Sequence, residues 1–141
     1  MSAPPLTSPL TGNWTYRSFN NNPQGGIPFN ELKFGEGTIQ ITESAMDEFA
    51  GTIGGAGWEL KLSGAVGYGN PCSVRFQGVG SVGGETWIYD YIRYLIPRWP
   101  NGINQRPAIV GSVVRTVPHS NSGGGVSPAG VVASFIAVRQ P

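Results

Sequence analysis

Apolar and polar positions alternate with a period of two over most of the chain, and Gly, Pro and Asn cut the alternating runs at short intervals. That pattern predicts strands with one buried face. Eight runs meet it: residues 12–20, 31–42, 46–54, 57–67, 71–82, 86–97, 107–118 and 130–140. The best helical window, residues 43–49, is roughly two turns long and shorter than an average helix. Connectors such as Gly54-Gly55-Ala56-Gly57, Gly67-Tyr68-Gly69-Asn70 and Val82-Gly83-Gly84-Glu85 are too short for a parallel crossover, so the strands they join are antiparallel.

An antiparallel meander of this size ends as a sandwich or as a closed barrel, and closure removes the exposed edges. Glycines inside otherwise regular runs (Gly35, Gly37, Gly51, Gly64, Gly78, Gly80 and Gly111) favour closure, because strands bend and approach one another at such positions. The expected fold is all-β, an eight-stranded antiparallel up-and-down β-barrel. Residues 1–141 form a single domain in this reading, with residues 1–9 as a flexible tail.

Composition narrows the function. The 141 residues include 22 Gly and only 12% charged side chains at a net charge of +1, too apolar and too weakly charged for a disordered chain. One cysteine, Cys72, excludes an intrachain disulfide framework; with one histidine it also excludes the usual Cys/His zinc clusters, so neither metal nor cofactor is expected. No basic and apolar leader opens the chain and no apolar run reaches about 18 residues, which points to a cytoplasmic protein without a membrane partner. Charge is nonetheless uneven. Residues 1–90 hold all eight acids and net −4, whereas residues 91–141 hold five arginines, no acid and net +5. Because the arginines are scattered and form no basic run, no nucleic-acid partner is expected.

The first strand, Leu10-Thr11-Gly12-Asn13-Trp14-Thr15-Tyr16, resembles the Gly-x-Trp opening of the calycins, the lipocalin- and avidin-like barrels. In those families the Trp sits at the closed end and an Arg near the end of the last strand packs across it. Arg139 stands in a comparable place. The resemblance implies a lipocalin/avidin-like barrel and ligand binding in general, without specifying a ligand.

In an up-and-down barrel the loops after strands one, three, five and seven share the end opposite the first residue of strand one. Two of them, residues 21–30 and 119–129, are long and rich in Gly and Asn, so that end is the expected mouth. The connection from Arg98 to Arg106, with Trp99, belongs at the closed end as a plug or an oligomer contact, and suggests a homo-oligomer. Trp58, Trp87, Tyr89, Arg115, His119 and Phe19 gather near the mouth, with Tyr16 and Tyr91 as further ligand-binding candidates. Strand six has two mixed faces: Trp87, Tyr89, Tyr91 and Arg93 on one, Ile88, Asp90, Ile92 and Tyr94 on the other. With the aromatic face inward, rings and hydroxyls line a pocket suited to a flat organic molecule. With the aliphatic face inward, Asp90 lies inside and needs a partner such as Arg115.

Two functions follow from these residues. One is a binding module for a largely apolar or aromatic small molecule. The other is a cofactor-independent cyclase, isomerase or lyase in which Asp90, His119 or Tyr91 moves a proton. Against catalysis, His119 fits an exposed turn, Asp90 with Arg115 fits a structural pair, and Cys72 fits a small core residue. Ser112 and Ser134 lack a nucleophile elbow, and no glycine-rich segment matches a phosphate or dinucleotide loop.

Overall fold

Alternation in the sequence becomes alternation across a barrel wall. In the computed structural model, which describes residues 10–22, 24–44, 48–67, 72–96, 106–121 and 123–141, β1 (Gly12–Asn20) buries Trp14, Tyr16 and Ser18 and turns Asn13, Thr15 and Arg17 outward. Then come β2 (Lys33–Ser44), β3 (Glu48–Gly55), β4 (Trp58–Gly67), β5 (Ser73–Val82), β6 (Glu85–Ile96), β7 (Ala108–Arg115), β8 (His119–Ser120), β9 (Val126–Ser127) and β10 (Val132–Val138). Strands β1 to β7 and β10 form a closed antiparallel barrel, with β10 hydrogen-bonded to both β7 and β1. The interior is filled by Ile39, Ile41, Ile53, Leu60, Leu62, Val74, Ile109 and Val113 together with a cluster of rings. Burial of each such aliphatic side chain contributes about 1.5–3 kcal/mol, which makes this filling the main stabilising term.

The bounds differ from the expected runs where local chemistry interferes. Strand seven stops at Arg115 instead of residue 118, since Pro118 has no N–H to extend a ladder, although Thr116 N still donates to Ile88 O at 3.0 Å. The connection expected as a loop over 119–129 contains a two-stranded hairpin, β8 with β9, pairing His119 with Ser127 and Ser120 with Val126. The weak helical window over 43–49 gives the end of β2 and the start of β3, with residues 45–47 outside the described ones. The tail over 1–9 and the Trp99 loop also lie outside the described residues. Among the described residues no helix is long and apolar enough to cross a membrane.

The closed end is tied by the residues of the Gly-x-Trp opening. Trp14 is fully buried and its Nε1 donates to Leu10 O at 2.8 Å. Arg139 bridges to Trp14 in antiparallel fashion, and Gly12 takes φ 137°, a conformation that favours glycine, with a Cβ there falling 3.3 Å from Arg139 Nε. Inside the barrel, glycine makes room for rings. A Cβ on Gly64 would stand 2.8 Å from Phe49 Cζ and 2.5 Å from Phe76 Cβ, in the space taken by the edge-to-face Phe49–Phe76 pair. Gly111 does the same for Arg93, whose Cβ a side chain there would strike.

Candidate functional site

Strand β6 decides which chemistry enters the barrel. Tyr89, Tyr91 and Arg93 are buried and face inward, whereas Asp90 lies on the outer face and accepts from Gln77 Nε2 at 2.8 Å. The aromatic face is therefore the inner one. Asp90 forms no pair with Arg115 and is removed from any interior proton transfer, a correction that follows from the strand's parity.

At the mouth end is a cavity of about 210 Å³, the liquid volume of roughly seven water molecules. Tyr16 and Ser18 of β1, Trp58 of β4, and Trp87, Tyr89 and Tyr91 of β6 supply most of its wall; Arg115 of β7 and His119 of β8 supply one corner. Its floor is a packed set of rings. Tyr16 meets Tyr91 edge-on at 6.0 Å, both touch Phe135, and Phe76 stacks on Tyr91 at 4.6 Å. Burial pushes the Tyr16 phenol up to about 12, partly offset by the neighbouring hydroxyls of Ser18 and Tyr91, and it pushes Tyr91 up as well. Both phenols are neutral at physiological pH.

The polar corner is a directed chain of hydrogen bonds. His119 Nδ1 lies 3.1 Å from Ser120 O, which can only accept, so in the neutral ring Nδ1 carries the proton and Nε2 accepts. Tyr89 Oη donates to that Nε2 at 2.7 Å and itself accepts from Arg115 Nε at 3.1 Å. Arg115 Nη1 also donates to Pro128 O at 3.3 Å, and the guanidinium lies 4.9 Å from the Phe34 ring centroid. His119 is 6% exposed, not a solvated turn residue: its ring stacks on Trp87 at 4.0 Å and 16°. Glu85 holds it there by accepting from Ser120 N and Ser120 Oγ, which clasps the hairpin to the start of β6.

One layer below Tyr91 lies Arg93, 2% exposed. Its Nε donates to Val74 O at 3.0 Å and its guanidinium sits 3.8 Å from the Phe76 centroid. Among the described residues neither Nη1 nor Nη2 has a partner. Burial lowers its pKa to about 8, which still leaves it mostly cationic at pH 7.

The expected ligand-binding residues Tyr16, Trp58, Trp87, Tyr89, Tyr91 and Arg115 thus line one cavity together with His119. Phe19 does not: it shares the outer face of β1 with Arg17 and packs edge-on against Phe29 at 5.8 Å. Cys72 is half-buried against the core, with its thiol pushed up by burial, and is not part of the cavity lining. Sequence reasoning missed Phe34. Its even number places it outward with Glu36, but the pairing jumps from Ser18↔Gly35 to Phe19↔Lys33, and this bulge turns both Phe34 and Gly35 toward the cavity. Among the described residues no group of three or more His, Cys, Asp or Glu side chains is placed to hold a metal ion.

Compared with protein-family models, curated proteins and solved structures, the chain matches none of them.

Proposed function

We propose that the barrel binds a compact, flat, largely apolar small molecule in its mouth cavity. The observation that carries this reading is the lining itself: tyrosine, tryptophan and phenylalanine rings enclose a space of about 210 Å³, with the Tyr16, Ser18 and Tyr91 hydroxyls on the wall and the hydrogen-bonded Arg115, Tyr89 and His119 at one corner. That volume is below the roughly 300–1,000 Å³ of drug-sized sites, so one ring or two fused rings fit and a long chain does not. The likeness to calycins in Gly12, Trp14 and Arg139 supports the same reading, since those barrels hold ligands inside.

Titration with benzamide, followed through the indole N–H signals of the four tryptophans, tests it. The Trp58 and Trp87 signals, assigned with Trp58→Phe and Trp87→Phe, are expected to shift while that of Trp14 at the closed end stays in place. A response confined to Trp14, or none with benzamide and none with benzoate, sinks the reading.

A second reading, cofactor-independent proton transfer, draws on one observation: the 2.7 Å contact between Tyr89 Oη and His119 Nε2, with Arg115 on the phenol oxygen. A cation on its oxygen and a base on its proton are what a phenol needs to act as an acid. Turnover of any compound without added cofactor would favour this second reading, and Tyr89→Phe then tests the phenol: a loss of turnover with affinity kept to within a few-fold supports it as the acid, and unchanged turnover overturns it.

A further inference from the structure

Every buried side-chain nitrogen or oxygen left without a partner among the described residues is a donor: Trp87 Nε1, Arg93 Nη1 and Arg93 Nη2. The acceptors in the polar corner are already engaged, His119 Nε2 by Tyr89 and Tyr89 Oη by Arg115. No carboxylate lines the cavity, and the acidic side chains described are exposed apart from Asp90, which faces outward. Two arginines, each more than nine-tenths buried, therefore stand in or just beneath the pocket without a counter-charge from the described residues.

We propose that the pocket takes its ligand as an organic anion, a compact aromatic or conjugated carboxylate whose ring lies among Tyr16, Trp58 and Trp87 and whose oxygens face Arg115. This rests on the ligand-binding reading above and specifies its chemical class. A buried guanidinium without an anion is costly, and a carboxylate supplies both the missing charge and the missing acceptors. Arg93 does not line the cavity. It acts through its field, from 5.4 Å off the Tyr91 ring centroid, so it favours any negative charge seated on the floor. Inorganic anions would supply the charge but leave the aromatic wall uncovered, which is why the ligand is taken as an aromatic acid. The wall selects the ring and the arginines select the ionised group.

The test pairs acids with neutral isosteres, benzoate with benzamide and cinnamate with cinnamamide, titrated calorimetrically into the purified full chain at pH 7 in low salt. Each acid is expected to bind about tenfold or more tightly than its amide, with the preference shrinking as salt rises. Arg115→Gln should erase most of the preference by lowering the acids' affinity more than the amides'; Arg115→Lys should restore part of it. Because Arg115 also holds Tyr89, Arg93→Met provides a second arm that leaves the corner intact and is likewise expected to cut the preference. Amides that bind as tightly as their acids overturn the inference while leaving the ligand-binding reading standing. If neither acids nor amides bind, both fall.

Discussion

The Tyr89 hydroxyl lies 2.7 Å from His119 Nε2, and that bond joins the barrel wall to the hairpin over its mouth. Tyr89→Phe leaves His119 without its donor and Arg115 Nε without its acceptor, both in a buried setting. A loss of roughly 2–4 kcal/mol by denaturant unfolding is expected. The same arrangement specifies the tautomer. Nitrogen NMR of the wild type should show His119 protonated at Nδ1 and bare at Nε2, and the opposite tautomer would contradict the direction of the chain from Arg115 to Tyr89 to His119.

Arg93 is a cation held by rings and one carbonyl. Cation–π contact with Phe76 contributes on the order of 1–2 kcal/mol, less than the several kcal/mol that burying a charge costs. Replacing it with methionine, which fills similar space without charge, should stabilise the purified protein by about 1 kcal/mol or more and raise its melting temperature by a few degrees. A melting temperature lowered by several degrees would mean that Arg93 is satisfied in a way its surroundings do not provide.

Gly64 and Gly25 form a matched pair of tests. An added methyl at Gly64 meets Phe76 and Phe49 at 2.5–2.8 Å, whereas nothing lies within 4 Å of one at Gly25. Gly64→Ala is expected to cost about 1–3 kcal/mol and Gly25→Ala about nothing, measured by chemical denaturation. Equal costs would show that crowding inside the wall is not why glycine occupies position 64.

The Tyr16 phenol should ionise late. Its folded pKa is raised to about 12 from the ordinary value of 10.0, so between those values the folded state holds a proton that the unfolded chain has released. Its contribution to stability is therefore whole below pH 10 and is lost as pH rises toward 12. Tyrosinate absorbance should reveal a late-titrating group that disappears in Tyr16→Phe, and stability measured across the same range should fall less steeply in that variant. A Tyr16 that ionises with the exposed tyrosines would refute this.

Much of this architecture is legible in the chain. Period-two runs, short glycine connectors and glycines within strands point to a closed meander, and the loop parity that separates mouth from closed end also places Trp58, Trp87, Arg115 and His119 together. The rest depends on contacts that no local pattern encodes. Strand β6 has two mixed faces, so its orientation follows only from what the neighbouring strands can accommodate, and Gly111 opposite Arg93 is the clue that a large side chain points in there. His119 is drawn inward by Glu85, 34 residues earlier in the sequence, through its bonds to Ser120. Phe34 owes its direction to a register shift that the alternation rule does not anticipate.

That shift gives the barrel one position of unusual freedom. Phe34 is skipped in the pairing between β1 and β2, yet its ring contributes to the cavity wall beside Tyr89 and Arg115. Exchanging it for a smaller or more polar side chain would reshape the pocket without moving any strand out of register. The shape and polarity of the cavity can thus change at residue 34 while the closed barrel beneath it keeps its geometry, and a library at that one codon is the natural starting point for varying the lining.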